Sequence, residues 1–128
     1  MVSENQMKEA MQAYIDCFNR QDPEAIAALY SDEASVEDPV GSPLKVGKAA
    51  VAAFYKMAVA TGAKLKLAAP IRASHGNSAA MAFDVQLNMP TGEAIIQVID
   101  VMTFDEAGKF TSMRAFWGKS DMVILKAP

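Results

Sequence analysis

The sequence predicts an α+β domain: a curved, mostly antiparallel sheet, covered on one face by three helices that close a conical apolar pocket. Three observations predict it. Apolar residues recur at helical spacing through most of the first sixty positions, then at a period of two from Lys64 onward. One short strand, residues 34–38, interrupts the helical part. The stretch 94–104 (AIIQVIDVMTF) is rich in β-branched residues and belongs at the centre of the sheet. With 128 residues and no repeat or linker, the chain is read as a single domain over 1–128.

Ser3 and Gln6 make a capping box for a first helix, along which Met7, Met11, Tyr14, Ile15 and Phe18 form an apolar stripe. Tyr14 lies on that stripe, so its hydroxyl needs a partner inside the protein. Asp22-Pro23 starts a short second helix, with Ile26, Leu29 and Tyr30 as its inner face. Asp32-Glu33 reads as a solvated turn. Pro39 ends the strand at 34–38, and a residue before proline is held extended. Asp38 therefore sits at a strand end, at the mouth of a loop, with Glu37 on the opposite face. An Asp beside Pro also stabilises turns, which is the structural alternative for Asp38.

After a loop at 41–47, a third helix spans 48–61, with Val51, Phe54, Tyr55 and Ala58 inward and Gly62 as its C-cap. Tyr14, Tyr30 and Tyr55 are the only tyrosines, and all three are expected on inner helix faces. Phenols placed there can bond one another and polarise the last of the chain.

In the sheet, Leu65 and Leu67 alternate with lysines, giving a strand with one wet face. Pro70 interrupts, and pairing resumes at 71–75. Gly76-Asn77 turns the chain into 79–88, where Met81, Phe83, Val85 and Leu87 share one row. Pro90-Thr91-Gly92 and Glu106-Ala107-Gly108 bracket the central strand. In the strand at 110–117, Thr111, Met113, Ala115 and Trp117 share a face, and the tail after Asp121 is left as an edge strand or a loosely packed end.

The central strand carries one acid. Ile96, Val98, Asp100, Met102 and Phe104 form one of its two rows, the more apolar one. A carboxylate there loses its hydration and must find a cation, accept hydrogen bonds, or keep its proton. A carboxyl that keeps its proton at neutral pH can donate a hydrogen bond, so Asp100 is a candidate oxyanion stabiliser. A structural Asp100 paired with Arg72 or Arg114 is the alternative.

Composition narrows the functions. The net charge is −3 and there is no basic stripe, which argues against nucleic acid. No apolar run reaches the roughly 20 residues of a membrane span. No signal peptide is evident, and Cys17 is the only cysteine, so a cytoplasmic protein without disulfides is expected. There is no phosphate-binding glycine loop. One His and one Cys cannot build a His/Cys metal site, a carboxylate site is the alternative with no motif to support it, and no metal is expected. His75 sits beside a turn, without a nucleophile-elbow motif. Nine methionines suit either an adaptable core or an apolar ligand cavity. Acids and phenols around an apolar cavity remain, a set suited to proton transfer on a neutral, greasy substrate.

Tyr14 on the first helix, Glu37-Asp38-Pro39-Val40-Gly41, Ala53-Phe54-Tyr55, Arg72-Ala73-Ser74-His75 and Val98-Ile99-Asp100-Val101-Met102 together resemble bacterial ketosteroid isomerase, the steroid Δ5-isomerase. The likeness runs in order from about Tyr14 to Trp117. It implies the nuclear transport factor 2-like (cystatin-like) fold, a homodimer, no cofactor, and a 3-oxo-Δ5-steroid as the small apolar ketone substrate. It implies Asp38 as general base, and Tyr14 with protonated Asp100 as oxyanion-hole donors. It implies Tyr30 and Tyr55 as supports of the catalytic phenol, and Phe54, Met81, Phe83, Met113 and Trp117 as apolar residues around the steroid. The division of two acids into opposite roles is the known behaviour of ketosteroid isomerase itself, and is taken over with the resemblance. A dehydratase or polyketide cyclase of the same superfamily is the nearest alternative enzyme. An epoxide hydrolase would need an arginine at Asp38 or Asp100, and a non-catalytic carrier of apolar ligands is the alternative outside enzymes.

Overall fold

The computed structural model describes residues 1–126; positions 127–128, the end of the tail, lie outside the described residues. Three helices, α1 (Glu4–Asn19), α2 (Pro23–Ala27) and α3 (Lys48–Ala60), accompany seven strands. The strands are β1 (Tyr30–Glu37), β2 (Lys45–Val46), β3 (Lys64–Leu67), β4 (Ser78–Met89), β5 (Gly92–Phe104), β6 (Phe110–Phe116) and β7 (Met122–Lys126). The sheet runs β2-β1-β6-β5-β4-β3. All its neighbours are antiparallel except β1 and β6, which run parallel. β5 is central along its whole length because β6 pairs its second half and β7 its first. The predicted α+β class with a curved sheet is the architecture found.

Local chemistry accounts for the helix ends. The Ser3 hydroxyl accepts from Gln6 N–H, while the Gln6 side chain accepts from Ser3 N–H. Such a cap contributes about 1 kcal/mol by satisfying orphan donors. Asp22 caps α2 through Ala25 N–H, with Pro23 in the first turn. Gly62 follows α3 with φ of +78°, a conformation that disfavours any residue bearing a Cβ.

Four expectations are corrected. Helix α2 ends at Ala27, so Tyr30 opens β1 instead of lying on a helix; its backbone pairs with Phe110 across the sheet. Asp32-Glu33 is not a turn but an exposed, bowed part of β1, where the register against β6 shifts between Tyr30 and Ser35. The loop at 41–47 contains the two-residue strand β2. Residues 71–75 do not form a strand; a single bridge, Arg72 to Ala80, is all that pairs there. One alternation also fails. Phe110 pairs with Phe104 but Ser112 with Thr103, so β6 carries one extra residue at Thr111. The bulge turns Phe110 into the core while Met113 and Ala115 keep their inward places, and Thr111 stays half-buried.

The core lies between the helices and the concave sheet face. Met7, Met11, Tyr14 and Phe18 of α1 and Val51 and Tyr55 of α3 meet Met81, Phe83, Val98, Met102, Phe110 and Met113 of the sheet. No described helix is long and apolar enough to cross a membrane.

Candidate active site

A cavity of about 300 Å³ opens between α1, α3 and the sheet. That volume is at the lower limit of small-molecule sites. Its inner end holds Tyr14, Tyr55 and Asp100, and its rim holds Asp38 and Trp117. Phe18, Phe54, Ala58, Phe83, Val85, Ile96 and Val98 make its apolar wall.

Asp100 sits mid-strand on β5, opposite Met81 of β4 on one side and Ala115 of β6 on the other. Two backbone ladders therefore fix its direction. The residue is 1% exposed, and neither carboxyl oxygen has a hydrogen-bond partner among the described residues. Burial, and then the neighbouring Asp38 charge, hold its pKa well above the ordinary carboxylate value. The structural alternative fails for a visible reason: the two arginines are engaged elsewhere. Arg114 pairs with Glu37 at 3.2 Å on the opposite sheet face and lies over the Phe116 ring. Arg72 donates to the Pro70 carbonyl. No arginine lines the cavity among the described residues.

The phenols form a relay. The Tyr30 and Tyr55 hydroxyls are 2.5 Å apart, and Tyr55 donates to Tyr14 at 3.1 Å. A phenol has one proton to give. With Tyr55 committed to Tyr14, Tyr30 donates to Tyr55, and the Tyr14 proton is left for the cavity. All three phenols have pKa values pushed well up, first by burial, so they are neutral donors at physiological pH. Tyr30 itself does not line the cavity; it stands behind Tyr55.

Asp38 follows the last residue of β1 and precedes Pro39, to which it is joined by a cis peptide bond. Its Oδ1 accepts from Trp117 Nε1 at 3.0 Å. The Val40 N–H donates to the Ala115 carbonyl at 2.8 Å. Ala115 is the β6 residue opposite Asp100, so this bond ties the Asp38 loop to the strand position that locates the second acid. Glu37 faces the other way, accepting from Gly41 N–H and Arg114. Burial raises the Asp38 pKa, while the Trp117 hydrogen bond and the Lys45 charge lower it.

The structure brings Tyr14, Asp38, Phe54, Tyr55, Phe83, Asp100 and Trp117 to one cavity. Met81 and Met113 are buried in the sheet's inner face but do not line it. Sequence reading gave Trp117 an apolar role only and missed its indole donor; a half-buried Trp N–H that needs a partner was the available signal. Ile96 and Val98 share the row of Asp100 and were readable as wall. Phe18 was read only as part of a helix stripe, and nothing in its spacing distinguished wall from core. Among the described residues no group of three or more His, Cys, Asp and Glu side chains lies together as a metal site would require.

The raised Asp100 pKa has a measurable consequence for stability. Between the ordinary carboxylate pKa and the raised one, the folded chain holds a proton that the unfolded chain has released. Stability contributed by this group is thus present at low pH and lost as pH rises, at about 1.4 kcal/mol per pH unit within that window. Asp100→Asn should remove that loss, so its stability relative to the parent should increase from pH 5 to pH 8 in urea unfolding. A difference that stays constant with pH would mean that Asp100 carries no raised pKa.

The SnoaL-like domain family matches residues 11–113. The chain is 42% identical over 122 residues to the steroid Δ-isomerase of Nocardioides simplex, covering 95% of this chain and 98% of that protein. It is 25% identical to the epoxide hydrolase LasB of Streptomyces lasalocidi, covering 95% of this chain and 51% of that protein. The solved structure of SalBIII, an epoxide hydrolase/cyclase-like enzyme in pyran ring formation in polyether salinomycin, superposes with a TM-score of 0.90. It is 29% identical, covering 98% of this chain and 100% of that one. The chain belongs to the SnoaL-like domain family and has its nuclear transport factor 2-like fold.

Proposed function

We propose that the protein is a steroid Δ5-isomerase, moving the double bond of a 3-oxo-Δ5-steroid into conjugation with its carbonyl. The observation that carries this reading is Asp100, a buried carboxyl with no internal partner, facing a cavity beside a phenol whose proton is uncommitted. Such donors find a use when an oxyanion forms between them. The 42% identity to the Nocardioides simplex enzyme supports the same reading.

The ketone oxygen lies against Tyr14 and Asp100. Asp38 takes a proton from C4, and the electrons of that C–H bond move through the carbonyl to give a dienolate. Tyr14 and neutral Asp100 donate hydrogen bonds to the negative oxygen. Asp38 then returns the proton to C6 and the double bond settles between C4 and C5. The proton removed is the proton returned, so the reaction balances without a cofactor. Tyr30 and Tyr55 hold the Tyr14 phenol. Phe54, Phe83 and Trp117 enclose the apolar rings, and Met81 and Met113 back the wall from within the sheet. The absence of an arginine among the described lining residues favours this chemistry over the epoxide opening named for the more distant relatives.

Purified protein mixed with 5-androstene-3,17-dione should generate the absorbance of the conjugated enone. If there is no turnover but a steroid phenol binds tightly, the substrate is a different carbonyl compound or the protein is a carrier. Opening of an epoxide by the protein would transfer it to the other chemistry.

We also propose a homodimer and a cytoplasmic location, the latter in keeping with the single cysteine. On the solvent side of the sheet, Ile99 and Phe116 oppose each other across β5 and β6, at 49% and 40% exposure. A second copy would cover this apolar face. Phe116→Glu should convert the dimer to monomer in sedimentation equilibrium; a parent protein that already sediments as a monomer would rule the assembly out.

A further inference from the structure

The polar side chains that line the cavity are all uncharged or acidic, and no cation lies in its wall among the described residues. Yet a general base must be ionised to act, and Asp38 is set in an environment that opposes ionisation. The element beside it supplies the counterweight. β2 is a two-residue edge strand whose pairing is unambiguous: Lys45 opposes Val36, and Val46 opposes Ser35. Opposed residues share a sheet face, so Lys45 lies on the face where Val36 is fully buried, the cavity side. Asp38 is two positions beyond Val36, one past the end of β1, and so follows the strand on the side of the sheet where Lys45 lies. The ammonium does turn inward along the rim: it stands 5.5 Å from the centroid of the Phe54 ring, itself part of the cavity wall.

We infer that Lys45 is a positioning residue for the proposed reaction: its ammonium, placed over Phe54 at the cavity rim, keeps the Asp38 carboxylate ionised without pairing with it. The inference rests on the isomerase reading for its kinetic part alone. Direct pairing would defeat the purpose, because a carboxylate tied to a lysine could not approach carbon. The ammonium instead reaches the Pro43 carbonyl, at 3.5 Å, and no ion pair joins it to Asp38. The other groups facing Asp38 across the cavity are Tyr14 on α1, Tyr55 on α3, Asp100 on β5 and Trp117 after β6, with Tyr30 of β1 behind Tyr55. The phenols and the indole are neutral, and Asp100 would repel the carboxylate if it ionised. Arg114 is held to Glu37 on the opposite face and Lys48 to Asp32. The Lys45 field therefore stands alone on this side among the described residues.

The test is a titration of the Asp38 carboxyl by carbon-13 NMR in the parent, Lys45→Met and Lys45→Arg proteins, beside pH profiles of kcat/KM with 5-androstene-3,17-dione. Met keeps the apolar stem over Phe54 and loses the charge; Arg keeps the charge. In Lys45→Met the carboxyl should titrate about half a pH unit higher, and Lys45→Arg should restore it. The acid limb of kcat/KM should move with it, about threefold lower rate at pH values below the limb for that half unit. The shift should shrink as salt is added, since the ammonium is half-exposed. An Asp38 titration unchanged in Lys45→Met, or a shift that Lys45→Arg fails to reverse, overturns the inference whatever the kinetics show. A clear NMR shift in a protein that does not turn over the enone would leave Lys45 in its role and remove the isomerase.

Discussion

Asp38→Asn is expected to lower kcat for isomerisation by about 10⁴-fold, the upper end of what a positioned base contributes, because one carboxylate makes both proton transfers. Asn keeps the side chain's size and can still accept from Trp117 Nε1, so the loop tied to Ala115 should stay in place. KM should change by no more than a few-fold, since the lost interaction is one made with a moving proton and not with the bound steroid. Stopped-flow or steady-state absorbance of the enone reads the result. The pH profile sharpens it. Burial raises the Asp38 pKa, so the acid limb of kcat/KM should lie above the ordinary aspartate value in the parent enzyme. Turnover near the parent level in Asp38→Asn would remove Asp38 from the mechanism.

Much of the fold was legible because long, strongly patterned elements declare themselves. The α1 stripe from Met7 to Phe18 and the β5 row from Ile96 to Phe104 each follow one period without interruption, and both lie where the pattern puts them. What was not legible depends on contacts far along the chain. Tyr30 follows a short helix closely enough to be read as its last turn. It leaves that helix because its backbone pairs with Phe110, eighty residues away, and its ring packs edge-on against the Phe110 ring. The bulge at Thr111 is of the same kind: a period of two cannot reveal one extra residue, and only the partner strand shows it.

The candidate site was legible to a different degree for each residue. Asp100 could be suspected from its row, because an acid among Ile96, Val98 and Met102 is a local contradiction that needs a cause. Asp38 could be placed at a strand end by Pro39. Neither position gives the distance between the two acids, which is set by the Val40–Ala115 bond and the parallel pairing of β1 with β6. The direction of the phenol relay was likewise unreadable, since it depends on which hydroxyl the Tyr55 proton meets.

Removal of one oxyanion donor is the second large effect. Tyr14→Phe should lower kcat by on the order of 10²- to 10³-fold, with KM little changed, because the hydrogen bond strengthens as charge reaches the oxygen. The cavity should keep its shape, as only the hydroxyl is lost; Tyr55 loses its acceptor on the cavity side and keeps the Tyr30 hydroxyl as its partner. Asp100 separates two meanings of an acid at this place. If it works as a neutral donor, Asp100→Asn supplies an N–H in its stead and should retain more activity than Asp100→Leu, which supplies none. If it works as an anion, Asn and Leu are alike in lacking charge, and the advantage of Asn disappears. The two donors share one oxygen, so Tyr14→Phe and Asp100→Leu together should cost less than the product of their separate losses. A strictly multiplicative loss would mean that they act at different atoms, and one of them would then have to leave the oxyanion hole.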